Sequence, residues 1–219
     1  MSKKIGKQVA SLRQDYQKGS LLKSTVSEHP IKQFETWFQQ ATESPIREPN
    51  AMILATATKL ALPSVRTVLL KGFGSEGFIF YTNYHSRKGK ELQENPNGAL
   101  LFFWNILERQ IRIEGSVVKV APSVSDQYFY SRPLGSQIGA LASPQSEVID
   151  SRTVLENNVA QLQTKYTDKT QAQRPEHWGG FLLKPHLFEF WQGRSNRLHD
   201  RIQYQLQTDG SWRIDRLAP

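Results

Sequence analysis

Between residues 31 and 43 the apolar side chains Ile31, Phe34, Trp37, Phe38 and Ala41 recur at helical spacing behind Pro30, which predicts an amphipathic helix with proline in its first turn. From Ala51 the period shortens. Met52–Thr56, Ser64–Lys71 and Gly77–Thr82 are short apolar or β-branched runs punctuated by Pro and Gly, and they predict three strands in a meander. Ser86 is placed to cap a short basic helix that ends at Glu94 before Asn95-Pro96, and Asn97-Gly98 opens a strand over Ala99–Trp104. Arg109–Val120 alternates, with Ile111 and Ile113 on one face and Gln110, Arg112 and Glu114 on the other, so its polar face can line a site. Ser123–Arg132 and Asp150–Tyr166 read as helices. Gly179–Lys184, Phe188–Gln192, Ile202–Gln207 and Ser211–Arg216 read as strands, the last two joined at Asp209-Gly210.

Strands outnumber helices and are mostly linked by turns, which predicts an α+β, mainly β fold: an antiparallel barrel with peripheral helices. Residues 1–28 are polar and basic and read as a mobile arm, leaving 29–219 as one domain. A chain of 219 residues that is 38% hydrophobic can bury such a core without metal or disulfide staples. The net charge of +8 looks like a nucleic-acid signal, but Lys3, Lys4, Lys7, Arg13, Lys18 and Lys23 against Asp15 place +5 of it in the first 25 residues. Only Tyr16 supplies an aromatic there, so no nucleic-acid partner is expected. The absence of cysteine removes disulfides, thiolate nucleophiles and cysteine-ligated metals. No apolar leader segment is evident and the longest apolar run, Gly98–Trp104, is far below the ~20 residues of a membrane span. A soluble cytoplasmic protein with no membrane partner is the expectation.

Gly72-Phe73-Gly74-Ser75-Glu76-Gly77 spells a dinucleotide fingerprint, but Phe78–Thr82 after it is strand-like where the pyrophosphate would need a helix N-terminus. A hairpin turn is the better reading. The five histidines are scattered without metal-ligand spacing, and no metal is expected. Neither a nucleophile elbow nor a P-loop is present.

The densest run of functional residue types is Phe188-Glu189-Phe190-Trp191-Gln192-Gly193-Arg194-Ser195-Asn196-Arg197-Leu198-His199-Asp200-Arg201. In extended backbone Arg197, His199 and Arg201 would project to one side and suit a flat anionic ligand. This run, together with RTVLLK at 66–71, FYTNYHSRKGKEL at 80–92, ERQIRIEG at 108–115, YFYSRPLGSQIGALASPQS at 128–146 and the terminal RIDRLAP, resembles the pyridoxamine 5′-phosphate oxidase family. The resemblance extends over nearly everything from Arg13 onward. Leu134 and Leu141 stand where many members carry a charged residue and a Trp or Val.

The resemblance implies an FMN-binding split β-barrel that oxidises pyridoxamine or pyridoxine 5′-phosphate to pyridoxal 5′-phosphate, with hydride passing to the flavin and O2 reduced to H2O2. It implies that Arg66, Arg87, Lys88, Gln145 and Ser146 hold FMN at its phosphate and ribityl end. Thr67, Val68, Leu69 and Leu70 would run beside the flavin, and Lys71, Tyr81, Thr82, Gln110, Trp191 and Arg201 complete the cofactor set. The substrate phosphate would meet Lys71, Tyr128, Arg132 and Ser136. Arg197 and His199 would be the catalytic pair against the pyridine ring, beside Leu198, with Arg13 and Tyr16 as a mobile cover. A homodimer with FMN at the subunit interface is implied as well. The alternative is a non-catalytic split-barrel carrier or sensor of FMN, haem or pyridoxal phosphate, since fold alone does not set function.

Overall fold

The computed structural model describes residues 9, 12, 14–166 and 172–219. Arg13 lies outside the described residues. Among them are α1 (Pro30–Thr42), β1 (Ala51–Ala57), β2 (Pro63–Leu69), β3 (Gly72–Gly74), β4 (Gly77–Asn83), α2 (Arg87–Glu94), β5 (Asn97–Trp104) and β6 (Arg109–Lys119). Then follow α3 (Pro122–Ser131), α4 (Leu134–Ala142), α5 (Arg152–Lys165), β7 (Trp178–Gln192), β8 (Asp200–Leu206) and β9 (Trp212–Leu217). The chain divides into a larger unit, Asn50–Phe102 with Arg112–Leu187, and a smaller one built from the chain up to Pro49, Phe103–Ile111 and Phe188–Pro219.

The sheet of the larger unit runs β2-β1-β5-β6-β7-β4-β3. Strand β1 is antiparallel to β2 and β5, so Ile53 faces Thr67 on one side and Leu101 on the other. The expected meander is not formed beyond its first hairpin, because β4 pairs with β3 and β7 rather than β2. Burial explains the choice. No residue of β2 is fully buried, as befits an edge, whereas five of the seven residues of β4 are. The Gly72–Gly77 segment is the expected hairpin: Gly74 faces Gly77, and Ser75-Glu76 make the turn. Gly77 sits at φ 135°, and a Cβ there would lie 1.9 Å from the Leu183 carbonyl oxygen, so glycine is required.

Two further elements differ from expectation. The two strands read at 179–184 and 188–192 are one strand, β7, that passes through Pro185. Its ladder with β4 ends at Leu183, so the missing N–H of Pro185 costs no bond on that side. Helix α4 was hidden by its glycines, Gly135 and Gly139, which lower intrinsic helicity but leave a narrow apolar face that buries Ile138 and Ala142.

In the smaller unit α1 buries Ile31, Phe34, Trp37 and Ala41 in a core shared with Trp104, Ile111, Phe188, Phe190, Ile202 and Tyr204. Trp37 stands edge-on to Phe190, with centroids 5.3 Å apart, and Arg109 lies 4.4 Å over the Trp37 ring. Strands β8 and β9 form the expected hairpin, with Gly210 at φ 83° in its turn. The described part of the arm is docked on this unit. The Lys18 amide donates to the Glu108 carboxylate (2.9 Å), the Leu21 amide donates to Asp200 (3.0 Å), and the buried Tyr204 hydroxyl donates to the Ser27 carbonyl (2.7 Å).

Candidate active site

A cavity of about 690 Å³ in the larger unit gathers thirteen of the expected ligand residues. Strand β2 supplies Arg66, Thr67, Val68 and Leu69; Lys71 follows it, and β4 supplies Tyr81 and Thr82. Lys88 comes from the first turn of α2, Tyr128 from α3, Arg132 from its C-cap, Ser136 from α4, and Gln145 and Ser146 from the loop beyond. Asn83, Ser143 and Trp178 also line it and were not read from the sequence. Trp178 opens a strand before Gly179-Gly180, a position that looks like ordinary core.

At one end Lys88 is almost fully buried, yet among the described residues its ammonium reaches only neutral oxygens: Thr82 (3.3 Å), Ser86 and Gln145 (both 3.4 Å). Burial, then the nearby Arg66 charge, pushes its pKa down although Glu91 opposes this. Helix α2 places Lys88 because Ser86 caps it by accepting from the Gly89 amide. A Cβ at Gly89 would sit 2.2 Å from the Tyr84 carbonyl oxygen, so only glycine allows α2 to approach this closely. Ser146 holds a left-handed φ of 74°, a strained conformation of the kind found at ligand sites.

Arg66 is anchored by four N–H bonds. Its Nη1 donates to the Leu54 carbonyl (3.0 Å) and to Thr56, and its Nη2 donates to Ser64 and to Glu91 (3.2 Å). Thr56 and Ser64 in turn donate to the same Glu91 oxygen, and Arg87 binds the other one at 2.9 Å. Burial alone would raise the Glu91 pKa, but the bonds from Ser64, Thr56 and Arg87 and the Arg66 charge bring it down to about 2.

At the other end Tyr81, Tyr128 and Trp178 form a stack of near-parallel rings, Tyr81 lying 3.9 Å from Tyr128 and 5.5 Å from Trp178. The Arg132 guanidinium lies 4.7 Å over Trp178, and Lys71 is 5.9 Å from the Tyr128 centroid. Arg132 Nη1 is buried without a hydrogen-bond partner among the described residues. An orphaned cationic donor is costly, and an anion in the cavity would satisfy it.

Six of the described expected residues line neither this cavity nor a second one in the smaller unit. Leu70 is in the core, Arg87 faces outward from its pairing with Glu91, and Gln110 is half-buried on β6. Arg201 pairs with the buried Glu189 at 2.7 Å and donates to the Ala218 carbonyl. Leu198 is exposed. Trp191 packs against His199 with ring centroids 4.6 Å apart.

His199 and Arg197 line a second cavity, about 580 Å³, in the smaller unit, together with Tyr16, Asp15 and Arg194. The extended row expected for Arg197, His199 and Arg201 is not formed. Asn196 and Arg197 are both left-handed, at φ 56° and 62°, so the chain turns sharply there and Arg201 is carried away to Glu189. His199 Nδ1 accepts from the Arg194 amide at 3.1 Å, which leaves Nε2 as the protonated nitrogen of the neutral ring. Burial and the Arg197 charge lower its pKa and favour that neutral form. The Tyr16 ring meets both Trp191 and His199 at 5.8 Å.

Residues 38–166 match the family described as pyridoxamine 5′-phosphate oxidase, and 178–219 match the pyridoxine 5′-phosphate oxidase C-terminal dimerisation region. The chain belongs to the pyridoxamine 5′-phosphate oxidase family. Among curated members it is similar to the pyridoxine/pyridoxamine 5′-phosphate oxidase of Salinibacter ruber, 50% identical over 96% of this chain and 99% of that one. The Cyanothece protein of the same name is 53% identical, over 96% and 98% respectively. Of solved structures, PhzG from Burkholderia lata, in complex with tetrahydrophenazine-1-carboxylic acid, superposes with a TM-score of 0.85 at 31% identity over 91% of this chain and 98% of that one. A pyridoxamine 5′-phosphate oxidase-related FMN-binding protein from Nostoc punctiforme superposes at 0.68 with 15% identity over 89% and 100%, a likeness of fold. Family membership bears out the split-barrel fold, the oxidoreductase assignment and FMN as the cofactor. No helix among the described residues is long and apolar enough to cross a membrane.

Proposed function

We propose that this chain catalyses the FMN-dependent oxidation of pyridoxamine 5′-phosphate or pyridoxine 5′-phosphate to pyridoxal 5′-phosphate. The observation that carries the reading is one cavity with two separate cationic ends, Arg66 with Lys88 and Lys71 with Arg132, where cofactor and substrate each bring one phosphate. Arg66, Lys88, Gln145 and Ser146 hold FMN, with Arg87 behind Lys88 on the same helix. Bound FMN supplies a two-electron acceptor whose electrons pass on to O2. The amine substrate with O2 and water gives aldehyde, ammonia and H2O2; the alcohol with O2 gives aldehyde and H2O2.

The protein's part is orientation. Lys71, Tyr128, Arg132 and Ser136 fix the substrate phosphate, which sets how far the reacting carbon reaches. Arg197 presents a planar cation to the pyridine ring, and His199, neutral with Nε2 protonated, donates to a ring substituent. Tyr16, with Arg13 preceding it, covers that pocket. The purified protein is expected to be yellow, to release FMN on heating, and to bleach when pyridoxamine 5′-phosphate is added without oxygen. Release of FAD or haem in stoichiometric amount would sink the assignment.

The active form in this proposal is a homodimer with FMN at the subunit interface. Its support is that the segment carrying Trp191, Arg197, His199 and Arg201 falls within the match to the dimerisation region. Lys88→Ala and Arg197→Met chains, each inactive alone, are to be unfolded and refolded together. Recovered activity shows that one site draws on both chains, and a fully FMN-loaded monomer in sedimentation would end the claim.

A further inference from the structure

We infer that Glu91, which does not line the cavity, is a positioning residue that sets the preference of the site for a phosphorylated over an unphosphorylated flavin by holding Arg66. The inference rests on the proposed placement of the FMN phosphate beside Arg66 and Lys88. Glu91 lies on α2 with 4% of its surface exposed, where a helix between charged neighbours would ordinarily present it to water. Instead it closes two hydrogen-bonded rings. Arg66 Nη1 donates to Thr56 and Nη2 to Ser64, and both hydroxyls donate onward to one Glu91 oxygen that Arg66 Nη2 also reaches.

A guanidinium has five N–H groups. With four of them committed to the Leu54 carbonyl, Thr56, Ser64 and Glu91, Arg66 offers a ligand its Nε–H and its charge, in an orientation fixed before the ligand arrives. A loose arginine would lose side-chain freedom on binding phosphate, and that loss would subtract from affinity. The buried carboxylate also balances the Arg66 cation. Its negative charge does not reverse the site, because Arg66, Arg87 and Lys88 surround one anion. The second Glu91 oxygen takes Arg87, so the same carboxylate orients the residue preceding Lys88.

A purely architectural role, clamping α2 to β1 and β2, would weaken every flavin alike. The test is therefore a ratio. Apo protein is titrated with FMN and with riboflavin, following quenching of flavin fluorescence, for wild type, Glu91→Gln and Arg66→Ala. Expected for Glu91→Gln is an FMN Kd raised at least tenfold with riboflavin changed less than twofold, so that the FMN preference collapses toward that of Arg66→Ala. Equal losses for both flavins, or no loss for either, would overturn the inference. Arg66→Ala retaining the full FMN preference would overturn the phosphate placement beneath it and the inference with it. Should Glu91→Gln not fold, Thr56→Val and Ser64→Ala each open one ring, and each is expected to lower the FMN preference severalfold. An unchanged preference in both would equally overturn it.

Discussion

The two arginines of the large cavity are held in opposite ways. Arg66 has four N–H bonds, a carboxylate and two hydroxyls around it, whereas Arg132 lies on the face of Trp178 with one donor nitrogen buried and unanswered. The first arrangement suits a resident cofactor: the site is prepared in advance and loses little by staying filled. The second suits a ligand that comes and goes, because an aromatic face holds a cation in place without competing for its hydrogen bonds. In the proposed placement of the substrate phosphate, the end with an unmet donor is expected to discriminate most strongly, since an occupant lacking the phosphate leaves a buried charge unsatisfied.

That contrast is broken most directly at Arg132. Arg132→Ala is expected to reduce kcat/KM for pyridoxamine 5′-phosphate on the order of a hundredfold, in line with about 2–3 kcal/mol for a charge-assisted bond, while FMN affinity stays within twofold. Steady-state kinetics beside FMN titration check it, and a matching loss of FMN would merge the two ends into one. The converse is Lys88→Ala, expected to weaken FMN roughly ten- to a hundredfold while KM for substrate, measured with saturating FMN, changes little.

Next in size is Arg197→Met, which should keep FMN bound while kcat falls on the order of tenfold or more, since orientation of the ring is lost and no phosphate contact is. Loss of flavin with normal activity in excess FMN would place Arg197 at the cofactor. Trp178→Leu removes the platform beneath Arg132 and should raise KM roughly fivefold, a cation–π contribution of about 1 kcal/mol, with FMN affinity unaffected.

The last effect concerns acid and is read in stability rather than in ligand affinity. Glu91 has its pKa lowered from 4.5 to about 2 in the folded chain, so its contribution to stability is fully present above about pH 4.5 and is lost as pH falls through about 2. The urea midpoint of wild type should therefore drop across that window more steeply than that of Glu91→Gln. Parallel curves would show that Glu91 carries no such linkage.

Much of this organisation can be read from the chain because local and tertiary preferences agree. Ile111 and Ile113 alternate onto a buried face, Asp209-Gly210 turns a hairpin, and Ser86 caps the helix that presents Lys88. Where they disagree, the sequence misleads. Pro185 looks like a strand break, yet it lies past the last β4 partner; Gly135 and Gly139 conceal α4; and Glu91 looks like solvated helix surface. In the left-handed pair Asn196-Arg197 only Asn196 is of a type that favours that region; Arg197 gives no local sign of its φ of 62°, so the turn that precedes the Arg201–Glu189 pairing is only half legible. Of the expected ligand residues, those on β2, β4 and the 128–146 segment converge on one cavity, while the C-terminal group lies in the smaller unit, a division that no linear spacing announces.

The parallel rings of Tyr81, Tyr128 and Trp178 have an optical consequence. Chromophores stacked this closely couple their transitions, so the apo protein should carry a near-ultraviolet circular dichroism band that each ring alone would not produce. Tyr128 belongs to α3 while Tyr81 and Trp178 belong to β4 and β7, so the band reports whether the segment bearing Arg132 is seated against the sheet. Substrate docking could then be followed at wavelengths where a phosphate ester of simple aliphatic character is transparent, by competition at the same anchor, with no flavin present.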